Sequence, residues 1–337
     1  MTKLTNNSGR LELPSSSRIT SMFFPIYENF NQEHFDTTFK TYKCFKRIVS
    51  RVYDFHKQNC TLKTKKYETF EVHTDSNKVV LGFSGGLDSC YQAFYLRKLG
   101  YDVILYFVKN INSYENGQAY RAGVEFADKY NFKLVEANYA KNSNKDNPKR
   151  QYWNENPVKN QLILAMMCDY CIDNKIKYIS LGDDYGLSIE NATLGVNLTD
   201  AKQITKAFLK GLDELTNSSF TFIKANRKID KGKRLKLFKK NGCLDVYYSC
   251  LSPGRFNHTW HLNNQFKYNV RLPKNNCGCC KKCVMHWLML RHLNLTAENE
   301  EFEEHCWKIL SEKKHNAYCH IFSGNNREEN IRRLYEY

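Results

Sequence analysis

Apolar residues change their spacing along this chain, and the changes mark out its elements. Val79-Val80-Leu81-Gly82-Phe83 is a short run with almost no polar break, as in a strand covered on both faces. Val103–Val108, Lys133–Ala137 and Tyr178–Leu181 read the same way. Between them the spacing becomes helical: Ser89–Lys98, stopped by Gly100, then Ala119–Tyr130 and Val158–Asn174. Strand and helix alternate, which predicts an α/β fold with a doubly wound parallel sheet. Beyond Gly182 the pattern predicts a loop over 183–200, a helix over Asp200–Leu215 and another over Lys231–Lys240, capped by Gly242. Upstream, Phe35, Phe39, Tyr42, Phe45, Ile48, Val49, Val52 and Phe55 recur at three- and four-residue steps, predicting an amphipathic helix over 35–56. Lys40, Lys43, Lys46, Arg47 and Arg51 fill its other positions, so it either packs on the core or binds a partner. Residues 1–20, rich in Ser, Thr and Asn, read as a flexible lead. After Cys243 the chain is loop-like and Cys-rich until a helix starts near Cys283, and 296–337 is helical and charged. The organisation expected is an N-terminal extension over 1–75, an α/β domain over 76–242 and a C-terminal region over 243–337.

The turn that follows the first strand carries the candidate chemistry. Ser84-Gly85-Gly86-Leu87-Asp88-Ser89 joins a strand to a helix. Glycines allow backbone angles that turn successive N–H groups to one side, and the helix N-terminus adds partial positive charge. Ser84 and Ser89 can donate hydroxyl hydrogen bonds to a phosphate, and Asp88 can hold magnesium or cap the helix. The segment is neither a Walker A loop nor a dinucleotide fingerprint, because Gly-Lys-Ser/Thr and G-x-G-x-x-G are both absent. Asp183 and Asp184 follow Gly182 at the end of a strand, where open α/β sheets bind ligands. Tyr106 either borders a base or packs in the core.

Thirteen cysteines, an odd number, do not suit a disulfide framework. Four of them crowd into Cys277-Gly278-Cys279-Cys280-Lys281-Lys282-Cys283, and Cys250 lies upstream. The thiolates of Cys250, Cys277, Cys280 and Cys283 suit a tetrahedral zinc ion, with Cys279 spare. His258, His261 or His286 could replace a thiolate, and the spacing alone leaves an iron–sulfur cluster or redox chemistry open. A reducing cytoplasm fits this cysteine usage. No run of about 18 apolar residues predicts a membrane span. The net charge of +16 would attract polyanions, although the lysines are scattered rather than striped. Lys231-Gly232-Lys233-Arg234, with Lys236, Lys239 and Lys240, is a basic cluster whose default is a solvated face.

The SGGLDS string resembles the signature of the PP-loop ATP pyrophosphatases (adenine nucleotide α-hydrolase-like fold), which split ATP between the α and β phosphates. Together with the cysteine knuckle it resembles the 7-cyano-7-deazaguanine synthase (QueC-like) family, which carries SGGxDS early and a zinc-binding CGxCxxC late. Pro157-Val158-Lys159-Asn160 matches that family's P-x-R-N with Lys for Arg, and Gly182 matches a strand-end glycine. The resemblance covers about residues 78–293. It implies an ATP-dependent ligase forming C–N bonds, in which 7-carboxy-7-deazaguanine is adenylated and attacked by nitrogen to give amide or nitrile. It implies ATP, Mg2+ and Zn2+ as cofactors. Ser84, Asp88, Ser89 and Lys159 would be the catalytic residues, and Ser84 to Ser89, Asn160, Gly182 and Asp183 the nucleotide site. Asp200 and Lys202 stand near the family's substrate loop, but its Gly-Tyr-Pro-Asp segment is replaced by Gly195–Asp200. The long lead and the insert over 251–276, with Arg255, Trp260 and Arg271, suit another acceptor. Relatives in antiphage defence operons (CBASS type) attach a deazaguanine to a protein amine. The remaining alternatives are a tRNA-modifying PP-loop enzyme of thiolase type and a non-catalytic nucleotide-sensing scaffold. The partners expected are therefore the deazaguanine, and a protein acceptor or a nucleic acid on the basic surface, with no membrane; the resemblance also allows a homodimer.

Overall fold

The computed structural model describes residues 2–6, 9–13, 17–30, 38–55, 59–72, 77–109, 118–141, 158–182, 198–225, 231–244, 247, 287 and 290. Its strands in chain order are β1 (Thr2–Asn6), β2 (Gly9–Leu13), β3 (Thr38–Tyr42), β4 (Thr61–Lys65), β5 (Lys78–Gly82), β6 (Asp102–Lys109), β7 (Lys133–Lys141), β8 (Tyr178–Leu181) and β9 (Thr221–Ile223). The helices are α1 (Arg18–Asn29), α2 (Lys46–Phe55), α3 (Leu87–Lys98), α4 (Gln118–Tyr130), α5 (Lys159–Asp173), α6 (Leu198–Thr216) and α7 (Lys231–Lys240). The chain divides into two units. One holds Met1–Phe83, Gln92–Ile111 and Phe132–Ala225; the other holds Ser84–Tyr91, Asn112–Asn131 and Asn226–Tyr337.

The first unit is built on a sheet of order β1-β2-β7-β6-β5-β8-β9. From β7 to β9 every pair is parallel. β5 sits inside this parallel run with β6 on one side and β8 on the other, so its three buried residues Val79, Val80 and Leu81 meet protein on both faces. The chain winds from β5 through α3 to β6 in one direction, and later enters β8 on the opposite side of β5. Right-handed crossovers in opposite directions put helices on opposite faces. The fold is thus the α/β, doubly wound class that the alternation predicts.

The helices end where local chemistry stops them. Gly100 (φ 90°) follows α3 and Gly242 (φ 64°) follows α7, the left-handed position that glycine accepts without penalty. α5 packs directly on β5 because Gly82 has no side chain. A Cβ there would lie 2.6 Å from Leu181 Cδ2 and 3.1 Å from Met167 Sδ.

Three expectations change. The lead is no featureless tail: β1 and β2 form an antiparallel hairpin, and β2 pairs antiparallel with the end of β7 through Leu11 and Tyr139. Ser and Asn hid an extended edge because local polarity does not report pairing partners. Within that lead α1 begins at Arg18, and it buries Ile19, Met22, Phe23, Phe24, Ile26 and Tyr27 despite the internal Pro25. The helix expected over 35–56 is instead a strand, a 3-10 turn over Lys43–Phe45 and then α2. Thr38-Phe39-Lys40-Thr41-Tyr42 alternates exposed and buried positions, and its Thr and aromatic residues favour the parallel pairing it makes with β4. Phe45 still reaches the core: its ring lies 5.3 Å from that of Phe23 and 5.8 Å from that of Phe208, which is 5.2 Å from Phe23. This aromatic triad ties α1, the 3-10 turn and α6 together.

Candidate functional site

The second unit contains the Ser84–Ser89 loop, which Phe83 alone separates in sequence from the end of β5. Phe83 continues the sheet by donating its N–H to the Tyr106 carbonyl at 2.9 Å. The backbone then turns through Gly85 at φ 71°, the left-handed region. α3 starts at Leu87, and Cys90 donates its N–H to the Gly86 carbonyl at 2.9 Å. The strand–turn–helix therefore has the geometry its glycines imply.

Its polar groups turn inward on the loop. Ser89 Oγ donates to the Gly86 carbonyl at 3.0 Å. Ser84 N–H reaches Ser89 Oγ at 3.4 Å, the two serine oxygens are 3.3 Å apart, and Gly86 N–H reaches Ser84 Oγ at 3.4 Å. Bonds of 3.3–3.4 Å are long and weak. A phosphate oxygen offering full charge would replace them with shorter ones at little cost. Ser84 is exposed, while Ser89 is buried against the helix start. The amides and hydroxyls therefore suit a nucleotide's phosphates.

Asp88 is held by a residue that sequence reasoning assigned to a solvated face. Arg234 Nη1 lies 2.5 Å from Asp88 Oδ1, and the guanidinium carbon lies 5.0 Å from the Tyr91 ring centroid. Arg234 is 9% exposed, although Lys233, Lys236, Lys239 and Lys240 around it on α7 are exposed. One signal could have found it. Arg234 shares the apolar side of α7 with Leu235 and Phe238, both buried. Asp88 thus fits magnesium only if Arg234 shares or yields that oxygen.

Two thiols lie in the same unit. Cys90 is buried beneath the loop, and burial pushes its thiol well up. The Tyr130 hydroxyl donates to Cys243 Sγ at 2.9 Å.

In the first unit, Lys159 and Asn160 form the first turn of α5, half-buried, after Val158. α5 leads from β7 into the parallel β8, so its N-terminus lies at the carboxyl edge of the strands, as the approach of Ile163 to Gly82 also shows. Gly182 directly follows β8 at that edge and is buried. That edge, between β5 and β8 where the winding reverses, is where sheets of this class bind ligands. Gln161, next along α5, is buried. Its Nε2 donates to Thr205 Oγ1 at 2.9 Å, whereas its Oε1 has no hydrogen-bond partner among the described residues. Tyr106 packs in the core against Tyr170, ring centroids 5.6 Å apart, and burial pushes its hydroxyl far up.

Asp183, Asp184, Pro157, the insert over 251–276, and the proposed zinc ligands Cys250, Cys277, Cys280 and Cys283 lie outside the described residues, as do Cys279, His258, His261 and His286. Asp200 and Lys202 fall within α6. Among the described residues no group of three or more His, Cys, Asp or Glu could hold a metal, and no helix is long and apolar enough to cross a membrane.

No protein-family model matches the chain, and no curated protein does. Among solved structures the chain is similar to the U34-tRNA thiolase NcsA from Methanococcus maripaludis with its 4Fe–4S cluster, at 22% identity and a TM-score of 0.34. The match covers 52% of this chain and 59% of that one, so the chain spans less than two thirds of the neighbour's length.

Proposed function

We propose that this chain is an ATP-using enzyme of the PP-loop type, releasing AMP and pyrophosphate. The observation that carries the reading is the loop itself. Ser84-Gly85-Gly86-Leu87-Asp88-Ser89 follows a central parallel strand, turns through a left-handed glycine and opens a twelve-residue helix. Its amides and two hydroxyls are bound to one another by long bonds that a phosphate would replace.

In this reading an oxygen of the substrate attacks the α-phosphorus of ATP. The bond to the α–β bridging oxygen breaks, and pyrophosphate leaves with the electron pair. A nitrogen or sulfur nucleophile then attacks the activated carbon, and AMP departs with the former substrate oxygen. The loop amides, Ser84 and Ser89 orient the phosphates and stabilise charge on the departing pyrophosphate. Magnesium, held by Asp88, would offset more of that charge. Lys159, Asn160 and Gly182, with Asp183, would line the carboxyl edge of the sheet. Cys250, Cys277, Cys280 and Cys283 would hold zinc as a structural knuckle.

The substrate we favour is 7-carboxy-7-deazaguanine, with ammonia or a protein amine as nucleophile. Pro157–Asn160 and the Cys277–Cys283 knuckle support it. A second reading is tRNA modification. The exposed lysines of α7 and the net charge of +16 favour a polyanion.

One experiment separates these. The full chain is incubated with ATP and Mg2+, plus either 7-carboxy-7-deazaguanine or tRNA. AMP and pyrophosphate are quantified, and products and co-purifying proteins are weighed by mass spectrometry. AMP dependent on the base supports the first substrate, and AMP dependent on tRNA supports the second. A mass shift on a protein identifies conjugation. Tight ATP binding without AMP in either arm leaves a nucleotide-sensing scaffold and overturns the enzymatic reading.

A further inference from the structure

We infer that Arg234 is a positioning residue of the phosphate site, shared between Asp88 and the β and γ phosphates of the nucleotide. This deepens the ATP reading and rests on it. Asp88 and Tyr91 lie three positions apart, so they share one face of the first turn of α3. The Arg234 guanidinium occupies that face, 2.5 Å from the carboxylate and 5.0 Å from the ring centroid. It therefore lies alongside the same helical turn whose N-terminus is the Ser84–Ser89 loop.

Charge explains why a cation belongs there. Asp88 is the only acidic residue in the first turn of α3. A bare carboxylate at that point would repel a triphosphate, and it would do so strongly because the surroundings are partly buried. The guanidinium cancels that charge. Its planar fork carries five N–H donors, enough to serve a carboxylate and a phosphate at once, which a lysine ammonium matches poorly. Burial also fixes it: Arg234 is buried on α7 along with Leu235 and Phe238. When nucleotide binds, Arg234 bridges to the phosphates, and Asp88 gains an oxygen for magnesium. AMP, whose single phosphate is the product's, gains less from it than ATP or pyrophosphate.

The test is calorimetric titration of the full chain with ATP, inorganic pyrophosphate and AMP, together with a thermal melt of each variant. Arg234→Ala is expected to weaken ATP and pyrophosphate at least tenfold and AMP no more than about twofold, with Arg234→Lys recovering part of the loss. Since Arg234→Ala leaves Asp88 without its cation, Asp88→Asn/Arg234→Gln supplies a neutral hydrogen-bonded pair instead. That double variant should melt near the wild type yet bind pyrophosphate at least tenfold more weakly than Asp88→Asn alone. Pyrophosphate affinity in the double variant equal to that of Asp88→Asn, or equal losses for ATP and AMP, would assign Arg234 a purely structural role and overturn the inference. Failure of the wild type to bind either ATP or pyrophosphate would instead overturn the ATP reading and this inference with it.

Discussion

Asp169 accepts the backbone N–H of Thr20 at 2.8 Å, across 149 positions of sequence, and with its other oxygen the N–H of Ile19 at 2.9 Å. The carboxylate of α5 thereby caps α1, whose own Ser17 makes no side-chain capping bond. Removing it leaves two buried amides without partners, at about 1–3 kcal/mol each. Asp169→Ala should therefore lower unfolding free energy by about 3 kcal/mol, measured by urea denaturation. Asp169→Asn keeps one acceptor and should lose roughly half as much.

The same carboxyl makes stability depend on pH. Burial pushes Asp169 up to about 6, and this outweighs the bonds from Thr20 and Ile19 that favour the charge. Between its ordinary value of 3.8 and about 6 the folded protein holds a proton that the unfolded chain has released. The folded state thus binds more protons, so this group's contribution is fully present below 3.8 and is lost as pH rises through about 6. Asp169→Asn cannot titrate. The stability of the wild type minus that of Asp169→Asn should fall between pH 4 and 6.5 and then level off; a difference that rises with pH would contradict this assignment.

Two glycines should respond unequally to alanine. At Gly211 in α6 a Cβ would lie 2.3 Å from the Cys44 carbonyl oxygen, a backbone atom that cannot swing away. Alanine gains about 1 kcal/mol of helix propensity there, but overpacking of this kind costs about 1–3 kcal/mol or more. At Gly82 the nearest atom is the end of the Leu181 side chain, which can rotate. Thermal melts should rank Gly211→Ala as the more damaging of the two.

Gly85 holds φ 71°, where any other L-residue is strained by about 1–2 kcal/mol. Gly85→Ala should lower the melting temperature modestly and weaken ATP binding more than tenfold, since the amides of the turn would be re-aimed. Unchanged ATP affinity by calorimetry would show that the turn's backbone is not the phosphate cradle.

The sequence by itself determined the parallel α/β core and the place of its turn. β8 and α7 fall where the periodicity put them, and β5, β6, α3 and α4 lie within two residues of it, because a strand buried on both faces is apolar throughout and a glycine follows both α3 and α7. Ser84–Ser89 was legible as a turn because glycine accepts the left-handed angle at Gly85 without penalty. Tertiary structure alone decided what local pattern does not encode. Thr38–Tyr42 became a strand because β4 offers hydrogen-bond partners, overriding a helical spacing of aromatics. The polar lead became an edge hairpin on β7, and β9 added to β8, through pairings between residues far apart in sequence. Arg234 read as one cation among many until α7 folded its apolar side inward and carried the guanidinium to Asp88, 146 positions away. Spacing reports which side of an element meets the core; which charge it meets there is fixed only when distant elements pack.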